Sequence, residues 1–259
     1  MGFGLIVIGD EIVSGKRQDR HFPRVVEMLR GRGLSLAWAH FIGDDRAAIT
    51  ALLRSTFAGD DVVFCCGGIG ATPDDHTRQA AAAARGVDLV LHPQAAELIA
   101  QRIAEMAAES GGSADLSLPE NRQRLKMGEF PAGAEILPNP FNRIPGFALG
   151  RHFFVPGFPV MAWPMIEAVL DTRFAGCFHR DARGERSFLV FGLAESTVTP
   201  LMEEIERDYA EVRVFSLPSV GEDGGRRHIE LGVRGPAPTV DEAFATLRAG
   251  VQALGGEIR

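Results

Sequence analysis

The chain predicts an α/β fold, a mainly parallel sheet with helices packed on it, followed by a small α+β unit. Three observations carry this. Apolar runs such as Leu5-Ile6-Val7-Ile8 and Val62-Val63-Phe64-Cys65-Cys66 are short and continuous, which marks strands buried on both faces. Segments with helical periodicity separate them, as crossovers between parallel strands require. Each of the first three strand-like runs ends in a polar or glycine-rich loop, where open parallel sheets bind ligands.

The first strand is Gly4–Ile8, and its loop is Gly9–Gly15. A helix from about Arg20 to Arg30 places Phe22, Val25, Val26 and Leu29 on one face and stops at Gly31 and Gly33. Ser35–Phe41 reads as a strand; Ile42-Gly43-Asp44-Asp45 then leads into a helix over Arg46–Phe57, which Asp44 or Asp45 caps. Strand Val62–Cys66, a glycine-acid loop, helix Thr77–Arg85 and a long helix Gln94–Glu109 follow, and Ser110–Ser113 breaks the last. Ala134–Leu137 and Arg151–Val155 read as strands separated by the proline-rich tract 138–146. Pro156-Gly157-Phe158-Pro159 then opens a helix whose Met161, Trp163 and Met165 read as core. The periodicity fails near Phe174–Asp181, a boundary between 1–174 and 181–259. Beyond it the order is strand Ser187–Leu193, helix Val198–Arg207, strands Val212–Leu217 and His228–Val233, and helix Val240–Leu254, with a hairpin tip at Gly221–Arg227.

Bulk properties narrow the function. A net charge of −7 argues against general nucleic-acid binding, for which the densest basic patch is only Arg122, Arg124 and Lys126. No apolar run is long enough to span a membrane or serve as a signal peptide. The three cysteines form neither a disulfide framework nor a zinc spacing, so a reducing cytoplasm is expected. His92, His152, His179 and His228 share no metal-ligand spacing, and Ser14 and Ser196 lack a nucleophile-elbow context.

The chemistry concentrates in Gly67-Gly68-Ile69-Gly70-Ala71-Thr72-Pro73-Asp74-Asp75-His76-Thr77. Glycines let backbone N–H groups turn toward a bound anion. No Lys-Ser/Thr follows them, and their spacing is not G-x-G-x-x-G, so neither common phosphate motif is present. Two aspartates beside an anion cradle repel a phosphate unless a cation lies between, although Asp74 or Asp75 also suits a helix cap. His76 is placed for proton transfer or simply for a polar helix start. If the first three strands are parallel, the loops Asp10–Gly15, Gly43–Asp45 and Gly67–Asp75 converge on one sheet edge.

These motifs, with Asn139-Pro140, Pro145-Gly146-Phe147 and Val155-Pro156-Gly157-Phe158-Pro159, resemble the MoaB/Mog molybdopterin-binding domain family. The likeness spans residues 3–172 and is nearest to the N-terminal region of CinA (competence/damage-inducible) proteins and to the matching domain of eukaryotic FAD synthases. The C-terminal unit resembles the second domain of CinA proteins, and their amidohydrolase domain is expected to be absent. The resemblance implies a three-layer α/β/α sandwich. It places Gly67, Gly68, Gly70 and Thr72, with Asp74 and Thr77, on a phosphate, and gives Asp44 and Asp75 catalytic or metal-binding roles. Asp10, Glu11, Ser14 and Gly15 would line the cleft, and Pro145, Gly146, Pro156 and Gly157 its far wall. The implied activity is hydrolysis of a nucleotide diphosphate such as ADP-ribose or FAD with Mg, Mn or Co. The alternative is molybdopterin binding without turnover. Either way the expected partner is a small nucleotide or pterin, in a homo-oligomer. Three positions depart from the family pattern: Ala71 replaces a usual proline, Phe141–Ile144 a run of small residues, and Arg124 a glutamine.

Overall fold

The computed structural model describes residues 1–179, 183–221 and 225–259. The chain divides into two compact units, Met1–Phe178 and His179–Arg259. Asp181, at the edge of the expected boundary, and 222–224 of the expected hairpin tip lie outside the described residues.

The first unit begins β1 (Phe3–Ile8), a single helical turn α1 (Asp10–Val13), α2 (His21–Arg30), β2 (Leu36–Ile42), α3 (Arg46–Phe57) and β3 (Val62–Cys66). It continues with α4 (Thr77–Arg85), β4 (Leu89–Leu91), α5 (Pro93–Ser110), α6 (Pro119–Leu125), β5 (Glu129–Pro131), β6 (Glu135–Leu137), β7 (Gly146–Leu149), β8 (His152–Val155) and α7 (Pro159–Arg173). The main sheet has the order β2-β1-β3-β8-β7-β6. Its first four strands are parallel, while β7 and β6 add antiparallel pairs. β4 and β5 form a separate antiparallel ribbon.

Strand alternation builds the layers. Leu5 and Val7 face Val25, Met28 and Leu29 of α2 and Met165, Ile166 and Val169 of α7. Ile6 and Ile8 face Ile49 and Leu53 of α3 and Ala80 and Ala81 of α4. Both faces of the sheet are therefore covered, giving the expected three-layer sandwich, and each such buried Val, Leu, Ile or Met side chain contributes roughly 1.5–3 kcal/mol. Helices stop where the sequence supplies left-handed glycine: Gly86 after α4 has φ 68° and Gly111 after α5 has φ 71°.

Local expectations resolve unevenly. Asp45 is the cap of α3, its carboxylate accepting the Ala48 N–H at 2.7 Å. Neither Asp74 nor Asp75 caps α4, whose N-cap is His76 with no side-chain hydrogen bond. Gly146, expected in an irregular connection, opens the buried strand β7, where an added Cβ would lie 2.2 Å from the Phe154 carbonyl oxygen.

The second unit runs β9 (Arg183–Phe191), α8 (Glu195–Asp208), β10 (Arg213–Ser219), β11 (His228–Pro236), α9 (Ala237–Ala253) and β12 (Glu257–Ile258). Its sheet order β10-β11-β9-β12 is the split βαβ arrangement. Val198 and Ile205 of α8 and Val240, Leu247 and Val251 of α9 pack with Val190, Leu231 and Val233, so both helices share one face.

Candidate functional site

Parallel pairing brings the three loops together. Ile8 is in register with Ile42, and Val7 with Cys66, so β1, β2 and β3 end side by side. Asp10 and Asp44 exchange hydrogen bonds across this edge: the Asp10 N–H donates to Asp44 Oδ2 at 2.8 Å and the Asp44 N–H to Asp10 Oδ1 at 3.1 Å. Beside them opens a cavity of about 580 Å³.

The glycine loop forms one wall. Gly67 and Gly68 hold φ of 111° and 66°, and an added Cβ at Gly67 would lie 2.2 Å from the Ile8 carbonyl oxygen. Every other residue type is thus excluded there by both conformation and space. The Gly67 N–H donates to the Val155 carbonyl at 3.1 Å. Asp75 folds back on the loop, accepting from the Gly70 N–H at 2.9 Å, the Thr72 N–H at 2.9 Å and the Thr72 hydroxyl at 2.5 Å. The amides of Gly68, Ile69 and Ala71 have no acceptor among the described residues, and all three residues line the cavity. A near-buried N–H seeks an acceptor, so these three, rather than those of Gly67 and Gly70, are the donors open to a ligand.

Glu11, Asp44, Gly67, Gly68, Gly70, Thr72, Asp74, Asp75, Pro145, Pro156 and Gly157 of the expected site line this cavity. Five expected residues do not. Asp10 is spent on Asp44; Ser14 and Gly15 close the α1 turn through bonds to the Asp10 and Ile12 carbonyls. Gly146 is inside β7. Thr77 is fully buried, its hydroxyl donating to the Gly67 carbonyl at 3.0 Å.

The cavity is also lined by residues that motif reading missed, among them Arg17, Gln18, Arg20 and His21, and by Met161, which was read as core. The Asp19 carboxylate accepts the His21 and Phe22 N–H groups at 2.9 Å each, which starts α2 beside the cavity. His21 Nε2 lies 2.9 Å from the Gly157 carbonyl, and burial holds this imidazole below its ordinary pKa. A neutral ring facing a carbonyl carries its proton on Nε2. The signal for the missed residues was the Arg-Gln-Asp-Arg-His run after Gly15, which carries no recognised motif.

Burial, and then the like charges of Asp10, Glu11 and Asp74, raise the pKa of Asp44, against the opposing Asp10 N–H. A cation at this position would relieve that repulsion. Among the described residues no three His, Cys, Asp or Glu side chains are arranged to hold a metal. The fit is to a hard cation such as Mg²⁺, which needs only one or two carboxylates when phosphate oxygens complete its shell.

Fold and site define an α/β protein with a glycine-lined cavity at the carboxyl edge of a parallel sheet. Residues 4–175 match the model of the "Probable molybdopterin binding domain" family, and the chain belongs to that family. A CinA-like protein of Anaeromyxobacter sp. (strain Fw109-5) is 30% identical over 249 residues, covering 89% of this chain and 58% of that protein. A CinA-like protein of Citrifermentans bemidjiense is 33% identical over 211 residues, covering 78% of this chain and 47% of its own length. The chain thus spans about half the length of the curated relatives it matches. The CinA structure from Thermoplasma acidophilum has the same fold at 24% identity and a TM-score of 0.55, matching 66% of this chain and 98% of that one. The expected MoaB/Mog and CinA resemblance is therefore borne out. No helix among the described residues is long and apolar enough to cross a membrane.

Proposed function

We propose that this chain binds a phosphate-bearing nucleotide or pterin and, with a divalent cation, hydrolyses a diphosphate link such as that of ADP-ribose or FAD. The observation that carries the reading is the set of three amides, unpartnered among the described residues, that line a cavity Asp44 also lines. Mg, Mn or Co would be held by Asp44 with Asp75, and would supply neutralisation of the phosphate charge. Water attacks phosphorus, the bridging P–O bond breaks, and the Gly68, Ile69 and Ala71 amides receive the charge on a non-bridging oxygen. Asp44, as a ligand of the cation, would not be free to act as a base, so the attacking water gives its proton to solvent.

A second reading is molybdopterin binding without turnover. Asp75 favours it, since both carboxylate oxygens are engaged by the loop. Thermal shifts with ADP-ribose, FAD and molybdopterin, each with Mg²⁺ or Mn²⁺, followed by analysis for phosphate monoester, separate the two. Hydrolysis is expected, and Asp44→Asn is expected to lower it roughly 100-fold or more. Stabilisation by molybdopterin alone, with no diphosphate cleaved, establishes the second reading instead.

A further inference from the structure

The three open amides share one arrangement: the carbonyl of each one's own peptide unit is held from the buried side by the first two residues of α4. The Thr77 hydroxyl donates to the Gly67 carbonyl at 3.0 Å, and the Thr77 N–H to the Gly68 carbonyl at 3.0 Å. Arg78 Nη2 donates to the Gly70 carbonyl at 2.5 Å. In a planar trans peptide the C=O and the following N–H point in opposite directions. Carbonyls fixed toward α4 therefore turn the N–H groups of Gly68, Ile69 and Ala71 away from it.

Thr77 is fully buried and Arg78 is 3% exposed, so neither reaches a ligand in the cavity. The second arm of the Arg78 fork donates to the Lys126 carbonyl, and Asp75 and Glu129 face its charge. A buried guanidinium is costly unless hydrogen-bonded and compensated, and here its two Nη groups donate to backbone carbonyls of the loop and of the segment behind it, while Nε has no partner among the described residues. We propose that Thr77 and Arg78 are positioning residues that set the polarity of the anion cradle from behind. Without them the Gly67, Gly68 and Gly70 carbonyls are free to rotate toward the cavity, where they would repel the phosphate that the amides attract.

The proposal rests on the reading of the site as an anion cradle, and its test separates the two. Inorganic pyrophosphate with Mg²⁺ is titrated calorimetrically into the full chain and its variants. Thr77→Val keeps the side-chain shape but removes the hydroxyl donor; it is expected to raise the Kd about tenfold, the scale of one lost hydrogen bond. Thr77→Ser restores the donor and is expected to restore the affinity. Amide exchange at Gly68 is expected to change in the valine variant and to return with serine. Arg78→Lys keeps charge without the fork and is expected to weaken binding about tenfold as well, which decides the matter should the valine variant not fold. Folded variants that bind like the wild type overturn the positioning role alone, as does a serine variant no better than valine. A wild-type chain that binds no pyrophosphate overturns the cradle itself and the proposal with it.

Discussion

Ala71 keeps a backbone donor that the proline implied there by the family resemblance would lack, since proline has no N–H. The sequence marks that departure, but the local reading left the role of Asp75 open between cap and cation ligand. In the structure Asp75 accepts from Gly70 and Thr72 within its own loop, an arrangement that depends on a turn geometry that residue types do not encode. His152 shows the same limit. Its sequence position carries no motif, yet it is 2% exposed, 2.8 Å from the Thr56 hydroxyl and 4.1 Å between ring centroids from Phe57. Burial, with the nearby Arg85 charge, pushes its pKa down to about 4. The unfolded chain takes up this proton near 6.5, while the folded chain resists it until about 4. The neutral ring thus costs nothing above pH 6.5, and stability falls as the pH drops from 6.5 toward 4, by about 3 kcal/mol in all. Urea unfolding at pH 7 and pH 4.5 is expected to show this loss, and His152→Phe to flatten the slope. An unchanged slope in the variant would assign the loss to other groups.

Elements with strong periodicity and clear boundaries were legible: β3 and α4 occupy the residues that the apolar run and the alanine-rich helix predict. The strands β4, β5 and β7 were not, because three or four residues give no period to read, and β7 follows Pro145 directly. The start of α3 shows what two adjacent residues of one type can divide between them. Asp45 caps the helix, while Asp44 turns to the sheet edge and lines the cavity. Asp45→Ala leaves the Ala48 N–H without its acceptor and is expected to cost about 1 kcal/mol of stability, with pyrophosphate affinity unchanged. Asp44→Asn is expected to do the reverse. Its amide oxygen still accepts the Asp10 N–H, and removing a charge crowded by Asp10, Glu11 and Asp74 does not lower stability, whereas turnover falls. Denaturation and turnover measured on both variants check the division; two variants that lose stability alike would show that both aspartates serve the fold.

At the scale of the whole chain, the two units have separate cores. One set of buried side chains, from Phe3 to Leu170, fills the two faces of the six-stranded sheet, and another, from Phe188 to Val251, fills one face of the four-stranded sheet. The composition shift near Phe174 made this division legible, because helical periodicity stops there and a new strand pattern starts within a few residues. The candidate site draws all its lining residues from the first unit, between Ile8 and Met161. The Thermoplasma CinA chain, matched over 98% of its length by 66% of this one, shows that such a fold is complete in a chain of about that size. A fragment of residues 1–178 is therefore expected to fold cooperatively, since it keeps both faces of its sheet covered and Phe178 against its own core. It is also expected to bind pyrophosphate with the affinity of the full chain. Circular dichroism on heating and calorimetric titration test both points. A fragment that folds but binds tenfold more weakly would show that the second unit contributes to the site, and one that does not fold would show that the cores depend on each other.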